Sequence, residues 1–369
     1  MRLTFFLILL SLSSYSQNLL PIKDSRGYGY ISLTGEKVLN TGELRGDFFY
    51  EGLAKFSFAG KSGYIDTTGN IVIQNIFDFA NDFVNGRAIV SKDSMYGLID
   101  KKGNFLIQPK FDRIYFQSSN RIAAKNSEGW DFYSLDGDRI TNESFTEVWS
   151  YSEGFAAVKT HGRHPWKFID TNGNYVNIPP SNNVYSGFNN GLAIIIDSNN
   201  KIRYINHEGI DPFNTAYFEA SRFSEGLAFV KDSRHGKEYL IDTTGNRVSE
   251  NEFETSWWFS EGCCGVETDS SYAIIDHKGQ IVFESETIEL RFFANGFGFF
   301  CDRSGDHIQW GIMNKNFEII SDKRFNAAFS KQSNKFIEYY FGEPGEHYLN
   351  GKRGYMDMKG EIIWEESKD

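Results

Sequence analysis

Residues 63–72 read Gly-Tyr-Ile-Asp-Thr-Thr-Gly-Asn-Ile-Val, a stretch that recurs along the chain and decides the fold. The side chain of Asp66 can accept hydrogen bonds from backbone amides two or three residues later, which starts a turn. Gly69 can supply the positive φ that closes a hairpin with a bulge. Because apolar residues flank the turn on both sides, the stretch predicts two antiparallel strands with one buried face.

The chain contains ten copies of this hairpin unit. An Asp, Asn or Ser begins each turn, at Ser32, Asp66, Asp100, Ser134, Asp170, Asn206, Asp242, Asp276, Asn314 and Asp357. A Gly stands three positions later in every copy except one, where Phe317 takes its place. There we expect the preceding Asn316 to adopt the left-handed conformation, in a turn one residue shorter. Since Asn and Ser replace Asp freely, we interpret the row of acidic residues as turn chemistry rather than calcium binding or acid catalysis.

A second unit precedes most hairpins: an aromatic residue, a Gly turn and an alternating apolar strand. One copy runs from Phe83 to Val90, and in another, which begins at Phe259, Cys264 takes the place of a small core residue. The two units together make a repeat of about 34 to 38 residues with three strands. Such a unit cannot bury its apolar face alone, so neighbouring repeats must stack.

The sequence therefore predicts an all-β fold, a tandem array of about ten β-hairpin or three-stranded repeats across residues 18–369. Ten units exceed the roughly four to eight blades of most propellers. Both chain ends also carry the same half-unit, Tyr30 to Val38 and Tyr355 to Ile363. We therefore expect an open, solenoid-like or curved array, with a β-propeller-like ring as the alternative.

Two sub-motifs resemble a known family. Aromatic-x-Glu-Gly-Leu-Ala-x-Val followed by Gly-Tyr-Ile-Asp-x-x-Gly is similar to the WG repeat of bacterial proteins, also called the KWG repeat, over residues 27–364. The Trp-Gly pair itself is present as Trp310-Gly311, and Tyr28-Gly29, Ser62-Gly63, Tyr96-Gly97 and Arg353-Gly354 take its place elsewhere. The resemblance implies a tandem β-repeat used for binding or in the cell envelope. It implies no chemistry and transfers no functional residue.

Residues 1–17 are typical of a secretory signal peptide: Met1-Arg2 is positive, residues 3–12 are mostly apolar, and small and polar residues lead to a cut near Ser16 or Gln17. An apolar block of about ten residues is too short for a bilayer, which needs about 20. We therefore expect export to the periplasm, the cell surface or the medium, with no transmembrane span. The net charge of -11 argues against a nucleic-acid partner, which requires a basic face.

No catalytic, metal or cofactor motif stands out, since the nucleophile elbow, the phosphate loop and His-Glu-x-x-His are all missing from the sequence. We therefore predict a non-enzymatic protein without a cofactor or a metal. His161 and His164 have a spacing that metal ligands use, but no third ligand is evident and ordinary loop polarity explains them better. Cys263, Cys264 and Cys301 leave open a disulfide between Cys301 and one of the adjacent pair.

Five of the seven histidines fall in one class of loop, between the strand of the second unit and the next hairpin. Loops of one class emerge on one face of stacked repeats, so they define a candidate binding edge. His207 and His277 lie in hairpin turns instead and are expected to be solvated. With the loop residues and two tryptophans, the candidate partner-binding residues are His161, His164, Trp166, Arg234, His235, Trp257, Trp258, His307 and His347.

Three tryptophans precede aromatic anchors, where an exposed ring could stack on a sugar or fill a pocket of a partner. We expect Trp149 to belong to the core between repeats. Trp257 and Trp258 are adjacent on an extended segment, so they should point to opposite faces and one of them should be exposed. The function predicted from the sequence is an exported binding or scaffold protein with a protein partner. The alternative is binding of a carbohydrate or cell-envelope glycan through exposed aromatic residues.

Overall fold

The structure is a computed structural model that describes residues 19–160, 165–197, 199–305, 309–321, 325, 327–329, 336–341 and 352–367. Over these residues the chain forms ten small antiparallel sheets and no helix. The described residues therefore contain no helix that is long and apolar enough to cross a bilayer. The predicted all-β tandem array is thereby confirmed. The chain divides into two compact units, residues 1–110 with 361–369, and residues 111–360.

The first unit contains three sheets. Its strands are β1 (Leu20–Asp24), β2 (Gly27–Ile31), β3 (Lys37–Gly42), β4 (Arg45–Tyr50), β5 (Leu53–Phe58), β6 (Lys61–Asp66), β7 (Ile71–Phe77), β8 (Phe79–Ala80), β9 (Arg87–Lys92), β10 (Met95–Asp100) and β11 (Phe105–Phe111). The sheet orders are β1-β2-β3, β4-β5-β6-β7 and β11-β10-β9-β8. Strands that follow one another in sequence are therefore neighbours in each sheet, which is an antiparallel meander.

The second unit continues the same pattern through seven sheets. Its strands are β12 (Arg113–Gln117), β13 (Arg121–Asn126), β14 (Gly129–Ser134), β15 (Glu147–Val148), β16 (Phe155–Lys159), β17 (Lys167–Asp170), β18 (Asn183–Val184), β19 (Ala193–Ile196), β20 (Ile202–Ile205), β21 (Glu219–Ala220), β22 (Leu227–Lys231), β23 (Glu238–Asp242), β24 (Arg247–Phe253), β25 (Thr255–Ser256), β26 (Cys263–Glu267), β27 (Tyr272–Asp276), β28 (Ile281–Ser285), β29 (Ile288–Ala294), β30 (Phe297–Asp302), β31 (Gln309–Asn314), β32 (Ala327–Phe329), β33 (Phe336–Phe341) and β34 (Lys352–Asp357). The last strand, β35 (Ile362–Glu365), belongs to the first unit.

The hairpin turns have the chemistry that the sequence predicts. Asp66 Oδ1 accepts hydrogen bonds from the amides of Thr68 and Asn70, each at 2.9 Å, and Gly69 has a φ of 88°. The register between β6 and β7 shifts beside this turn, which is the expected bulge. The first residue of every other copy accepts at least one amide bond of this kind, so the turn interpretation is confirmed.

The turn without a glycine differs from its prediction. Phe317 itself adopts the left-handed conformation, with a φ of 63°, and its amide donates to the carbonyl of Asn314 at 3.0 Å. The expectation that Asn316 takes this role in a shorter turn is therefore wrong. The Phe317 ring lies 5.8 Å from that of Phe283 and 6.2 Å from that of Phe293. These contacts offset the strain of a bulky residue at positive φ.

The apolar cores lie between adjacent repeats. In the first unit, Tyr64 and Phe77 of one repeat pack with Ala88, Val90 and Ile99 of the next. The Tyr64 hydroxyl also donates to the carbonyl of Asn81 at 2.6 Å, which satisfies its only polar group inside the core. Each repeat thus buries its apolar face only against a neighbour, as expected for stacked units.

Two glycines are required by close approaches of the backbone. A Cβ at Gly63 would lie 2.5 Å from the carbonyl oxygen of Ile73 on the facing strand. A Cβ at Gly35, which has a φ of 80°, would lie 2.8 Å from the carbonyl oxygen of Ile363 in β35. The first approach explains why Gly precedes Tyr in the hairpin motif, and the second places the C-terminal strand against the first hairpin turn.

Candidate functional site

Three consecutive sheets of the second unit present an aromatic residue at one equivalent position, Tyr115, Trp149 and Tyr185. Each lies at or just after the first strand of its sheet, β12, β15 or β18. The Trp149 amide donates to the carbonyl of Ala157 at 2.8 Å, and the Tyr185 amide donates to that of Ile194 at 2.9 Å. The sheet therefore fixes the backbone, while the side chains of Tyr115, Trp149 and Tyr185 remain 50%, 38% and 51% exposed.

Two of these rings line an open cleft of about 480 Å³, which we call the first cleft. Trp149 and Tyr185 are exposed in it, Trp130 is half-buried, and Trp166 is buried at its base. The Trp130 ring is also stacked on Tyr115, with centroids 5.8 Å apart and an interplanar angle of 27°. Four of the nine residues that line the cleft are therefore aromatic.

Two lysines lie over two of the three tryptophans of the first cleft. Lys125 Nζ lies 5.9 Å from the Trp130 centroid, and Lys159 Nζ lies 5.7 Å from the Trp166 centroid. A cation over an aromatic face is attracted by the ring quadrupole, so each lysine favours one orientation of its ring. These contacts keep the cleft in a preformed shape.

Polar side chains surround the rings of the first cleft. Glu147 accepts a hydrogen bond from Lys159 Nζ at 3.0 Å, so its charge is compensated. Thr146 donates to the carbonyl of Lys159 at 3.0 Å, and Asn183 accepts from the amide of Val184 at 2.9 Å. Each group is held by a contact on its own repeat and keeps further hydrogen-bonding capacity for a ligand.

Tyr185 also lines a second cleft of about 580 Å³. Phe218, which is 43% exposed, contributes the other exposed ring, and four charged residues contribute the polar part: Glu219, Arg222, Lys231 and Glu238. Burial raises the pKa of Glu238 above its usual value, and the Ser256 hydroxyl donates to its carboxylate at 2.6 Å. The two clefts meet at the ring of Tyr185.

A separate set of contacts on the turn edge links the repeats and explains the Glu-Gly pair of the second unit. Glu225 accepts hydrogen bonds from the amides of Glu261 and Gly262 in the next repeat, at 2.6 and 2.9 Å. His277 Nε2 lies 2.8 Å from the same carboxylate. Burial opposes ionisation of Glu225, but the Gly262 amide, His277 and the Glu261 amide together hold its pKa below the usual value.

The same contact recurs at other repeat boundaries. Glu51 accepts from the Gly86 amide at 2.9 Å, and Glu153 accepts from the Gly191 amide at 3.0 Å with His207 Nε2 at 3.0 Å. His207 and His277 are exposed, as expected, yet each also pairs with a glutamate of an earlier repeat. These glutamates and histidines serve the stacking of repeats.

The structure places the sequence-predicted site residues in different surroundings. Trp166 forms the base of the first cleft, whereas Arg234 and His235 are exposed in the loop after β22 and line neither cleft. Trp257 is half-buried against the core, with the Arg291 guanidinium 5.0 Å from its ring. Trp258 is 57% exposed, which confirms that one of the adjacent pair points outward. His161, His164, His307 and His347 lie outside the described residues.

The expectation that Trp149 belongs to the core is wrong, because its ring is 38% exposed and lines the first cleft. Sequence reasoning also missed Tyr115, Trp130, Tyr185 and Phe218. A signal for two of them was available: Tyr115, Trp149 and Tyr185 are 34 and 36 residues apart, which is the repeat spacing. Aligning the repeats at this position would have shown three aromatic residues in successive copies.

The three cysteines are free thiols. Cys264 is buried in the core, as expected from its place in the repeat, and burial raises the pKa of its thiol. The disulfide left open by the sequence does not form between these residues. Within the described parts of the chain, no group of three or more His, Cys, Asp or Glu side chains is arranged to hold a metal ion.

Comparison with known proteins identifies the repeat. The model of the family described as WG containing repeat matches residues 63–96 and 96–130, and no curated protein matches the sequence. A eukaryotic initiation factor of solved structure is similar over 95% of this chain and 96% of its own, with 11% identity and a TM-score of 0.52. Sqt1 of Saccharomyces cerevisiae matches over 77% and 93%, with 11% identity and a TM-score of 0.35. The likeness to the initiation factor concerns the β-rich fold alone.

Proposed function

This chain is a WG repeat-containing protein, and from that premise we propose that it is an exported, non-enzymatic binding protein whose ligand is a carbohydrate or a cell-envelope glycan. The observation that supports this proposal best is the first cleft, where Trp149 and Tyr185 expose aromatic faces next to Glu147 and Asn183. The signal-peptide features of residues 1–17 support export, which would bring this surface to envelope glycans.

The chemistry of a sugar ring fits such a surface. A pyranose has C–H faces that stack on flat aromatic rings, and hydroxyls around its edge that both donate and accept hydrogen bonds. Binding sites for small molecules combine apolar and aromatic walls with a few polar groups that set orientation. In the first cleft, Trp149 and Tyr185 would supply the stacking faces, and Glu147 and Asn183 would bind hydroxyls.

A protein partner is the second candidate. One observation favours it: Arg234 and His235 are exposed in the loop after β22, on the class of loop that the sequence identifies as a binding edge. Arginine is enriched at the centre of protein interfaces, because its guanidinium forms several hydrogen bonds and stacks on other side chains. A partner of this kind would bind independently of the aromatic clefts.

The test is a glycan array followed by pull-down on insoluble polysaccharides, with the wild type, Trp149→Ala and Trp258→Ala. Trp258 is a matched control, because it is an exposed tryptophan that lines neither cleft. Loss of the stacking face in Trp149→Ala should weaken glycan binding at least about tenfold, since burial of an aromatic side chain contributes on the order of 1.5–3 kcal/mol. Trp258→Ala should bind like the wild type.

Two results would contradict the carbohydrate proposal. The first is a folded wild-type protein that binds no glycan on the array or in the pull-down. The second is binding that survives Trp149→Ala but is lost in Trp258→Ala, which would move the site away from the clefts. A stable protein partner that co-purifies with the wild type and is lost in an Arg234→Ala variant would instead support the second candidate.

A further inference from the structure

Five aromatic rings of the second unit, four of them exposed and one half-buried, form a continuous row. Tyr115 stacks on Trp130, with centroids 5.8 Å apart, and Trp130 lines the first cleft together with Trp149 and Tyr185. Tyr185 then lines the second cleft together with Phe218. We call Tyr115, Trp130, Trp149, Tyr185 and Phe218 the aromatic row. Each member is stacked on the next or shares a cleft with it, so a ligand can pass from ring to ring without leaving the surface.

The row follows the repeat of the fold. Tyr115, Trp149 and Tyr185 occupy one equivalent position in three successive sheets. Equivalent residues of stacked repeats lie in a line, so the protein offers similar platforms at a regular spacing. A ligand made of identical units can use several such platforms at once, and each added contact increases affinity without a new binding event.

The charges along the row are balanced. In the first cleft, Glu147 is paired with Lys159 at 3.0 Å. The second cleft carries two acidic residues, Glu219 and Glu238, and two basic residues, Arg222 and Lys231. A charged ligand requires a surface of the opposite sign, and the net charge of -11 disfavours an acidic glycan in particular. Charge complementarity therefore favours an uncharged ligand.

A proline-rich peptide also docks on aromatic grooves, so the hydrogen-bonding groups must decide between the two ligands. Such a peptide offers mainly carbonyl acceptors, because proline has no backbone N–H. The row is bordered by carboxylates, Glu147 and Glu219, which can only accept hydrogen bonds. Sugar hydroxyls can donate to these carboxylates and also accept from Arg222 and Lys231, whereas a proline-rich chain offers acceptors to the basic residues but few donors to the carboxylates.

From these observations we infer that the ligand is a linear, uncharged polysaccharide that lies along the aromatic row and spans both clefts. This inference rests on the proposed carbohydrate function and specifies the class of glycan. It requires affinity to increase with the length of the sugar chain, because a short oligosaccharide fills one cleft and a longer one reaches the second.

The experiment is isothermal titration calorimetry with four uncharged series, the cello-, laminari-, malto- and N-acetylchito-oligosaccharides, from the monosaccharide to the hexasaccharide. In at least one series, the wild type should bind the hexasaccharide at least tenfold more tightly than the disaccharide. Phe218→Ala should lose most of this gain and keep the affinity for the disaccharide, because Phe218 lines only the second cleft. Trp149→Ala should weaken both, and Trp258→Ala should weaken neither.

The outcomes separate the inference from the function on which it rests. Equal affinity for short and long members of every series that binds, or an unchanged length dependence in Phe218→Ala, would overturn the linear ligand and leave carbohydrate binding intact. Tighter binding of alginate or of a polyproline peptide than of any uncharged series would also overturn it. Circular dichroism and thermal unfolding verify that each variant is folded, and Phe218 is exposed enough for its truncation to spare the core.

Discussion

Replacing Glu225 by alanine is expected to loosen one boundary between repeats while leaving the apolar cores intact. The carboxylate accepts hydrogen bonds from the amides of Glu261 and Gly262 at 2.6 and 2.9 Å, and from His277 at 2.8 Å. All three donors belong to the next repeat. Glu225→Ala removes the acceptor and leaves these donors to water.

The size of the effect follows from the exposure of the carboxylate. Hydrogen bonds to a charged group contribute about 1.5–3 kcal/mol when they are protected from solvent. The Glu225 side chain is 32% exposed, so water competes with them. A carboxylate that caps backbone amides at a helix N-terminus, in comparable exposure, contributes about 1 kcal/mol, with a range of about 0.5–2. We therefore expect a loss of about 1–2 kcal/mol at this boundary.

Amide hydrogen exchange measured by mass spectrometry is the suitable assay, because repeat proteins open locally. A loss of about 1–2 kcal/mol should accelerate exchange about 5- to 30-fold in the peptide that contains Glu261 and Gly262. Glu219→Ala is the matched control, since Glu219 is exposed and, within the part of the chain that the structure describes, its carboxylate accepts no amide bond from the next repeat. Unchanged exchange at Gly262, or equal acceleration in the control, would refute the reasoning.

The pH dependence provides an independent check on the same contact. Because the folded-state pKa of Glu225 is lowered, its stabilisation is fully present above the carboxylate pKa of the unfolded chain, about 4.3. It is lost as the pH falls through the lowered value in the folded protein. The difference between wild type and Glu225→Ala should therefore shrink in acid. A difference that grows in acid would contradict this assignment.

Three further predictions concern the repeat itself. Tyr204→Phe should lower the free energy of unfolding, measured by urea titration, by about 1–2 kcal/mol, because the Tyr204 hydroxyl donates at 2.7 Å to a carbonyl of the next repeat. Tyr185→Phe is the control, since the Tyr185 ring is exposed, and it should change the free energy of unfolding little. Gly63→Ala should lower the free energy of unfolding by on the order of 1–3 kcal/mol in the same titration, since the added Cβ would lie 2.5 Å from a carbonyl oxygen. A Cβ at Gly305 would meet nothing within 4 Å, so Gly305→Ala should leave the free energy of unfolding unchanged. Burial opposes ionisation of Asp66, but the donors of its turn hold its pKa below the usual value. Asp66→Asn should therefore keep the turn at pH 7 and reduce the loss of stability as the pH falls below about 3.9, the pKa of an aspartate in the unfolded chain. An unchanged acid dependence would contradict this.

The hairpin turns could be predicted from the sequence because their contacts are local. Asp66 and the amides that it binds lie within five residues of one another, so residue type and spacing are enough to specify the turn. Phe317 shows the limit of that reasoning. Its left-handed conformation depends on packing with Phe283 and Phe293, more than twenty residues earlier in the chain, and no local rule contains that contact.

The clefts could not be predicted, for a different reason. Trp149 and Tyr185 directly follow β15 and β18, which are only two residues long, so these strands show no alternation from which a buried face could be predicted. Which side of each ring is exposed is decided by pairing with β16 and β19. Trp166 shows the same effect in reverse, since a residue assigned to an exposed loop edge lies buried at the base of a cleft.

Tyr115, Trp149 and Tyr185 share one position of the repeat, and in other copies that position contributes to the fold through its backbone carbonyl. Asn81 and Ser221 hold the equivalent position in the sheets before and after Tyr115, Trp149 and Tyr185. Their backbone carbonyls accept hydrogen bonds from the hydroxyls of Tyr64 and Tyr204, at 2.6 and 2.7 Å. Any residue has a carbonyl that can accept such a bond. The fold therefore does not require an aromatic side chain there, and three exposed rings in succession increase the apolar surface in contact with water. The stability of the repeat does not account for their presence at consecutive copies, and the proposed ligand binding would explain it.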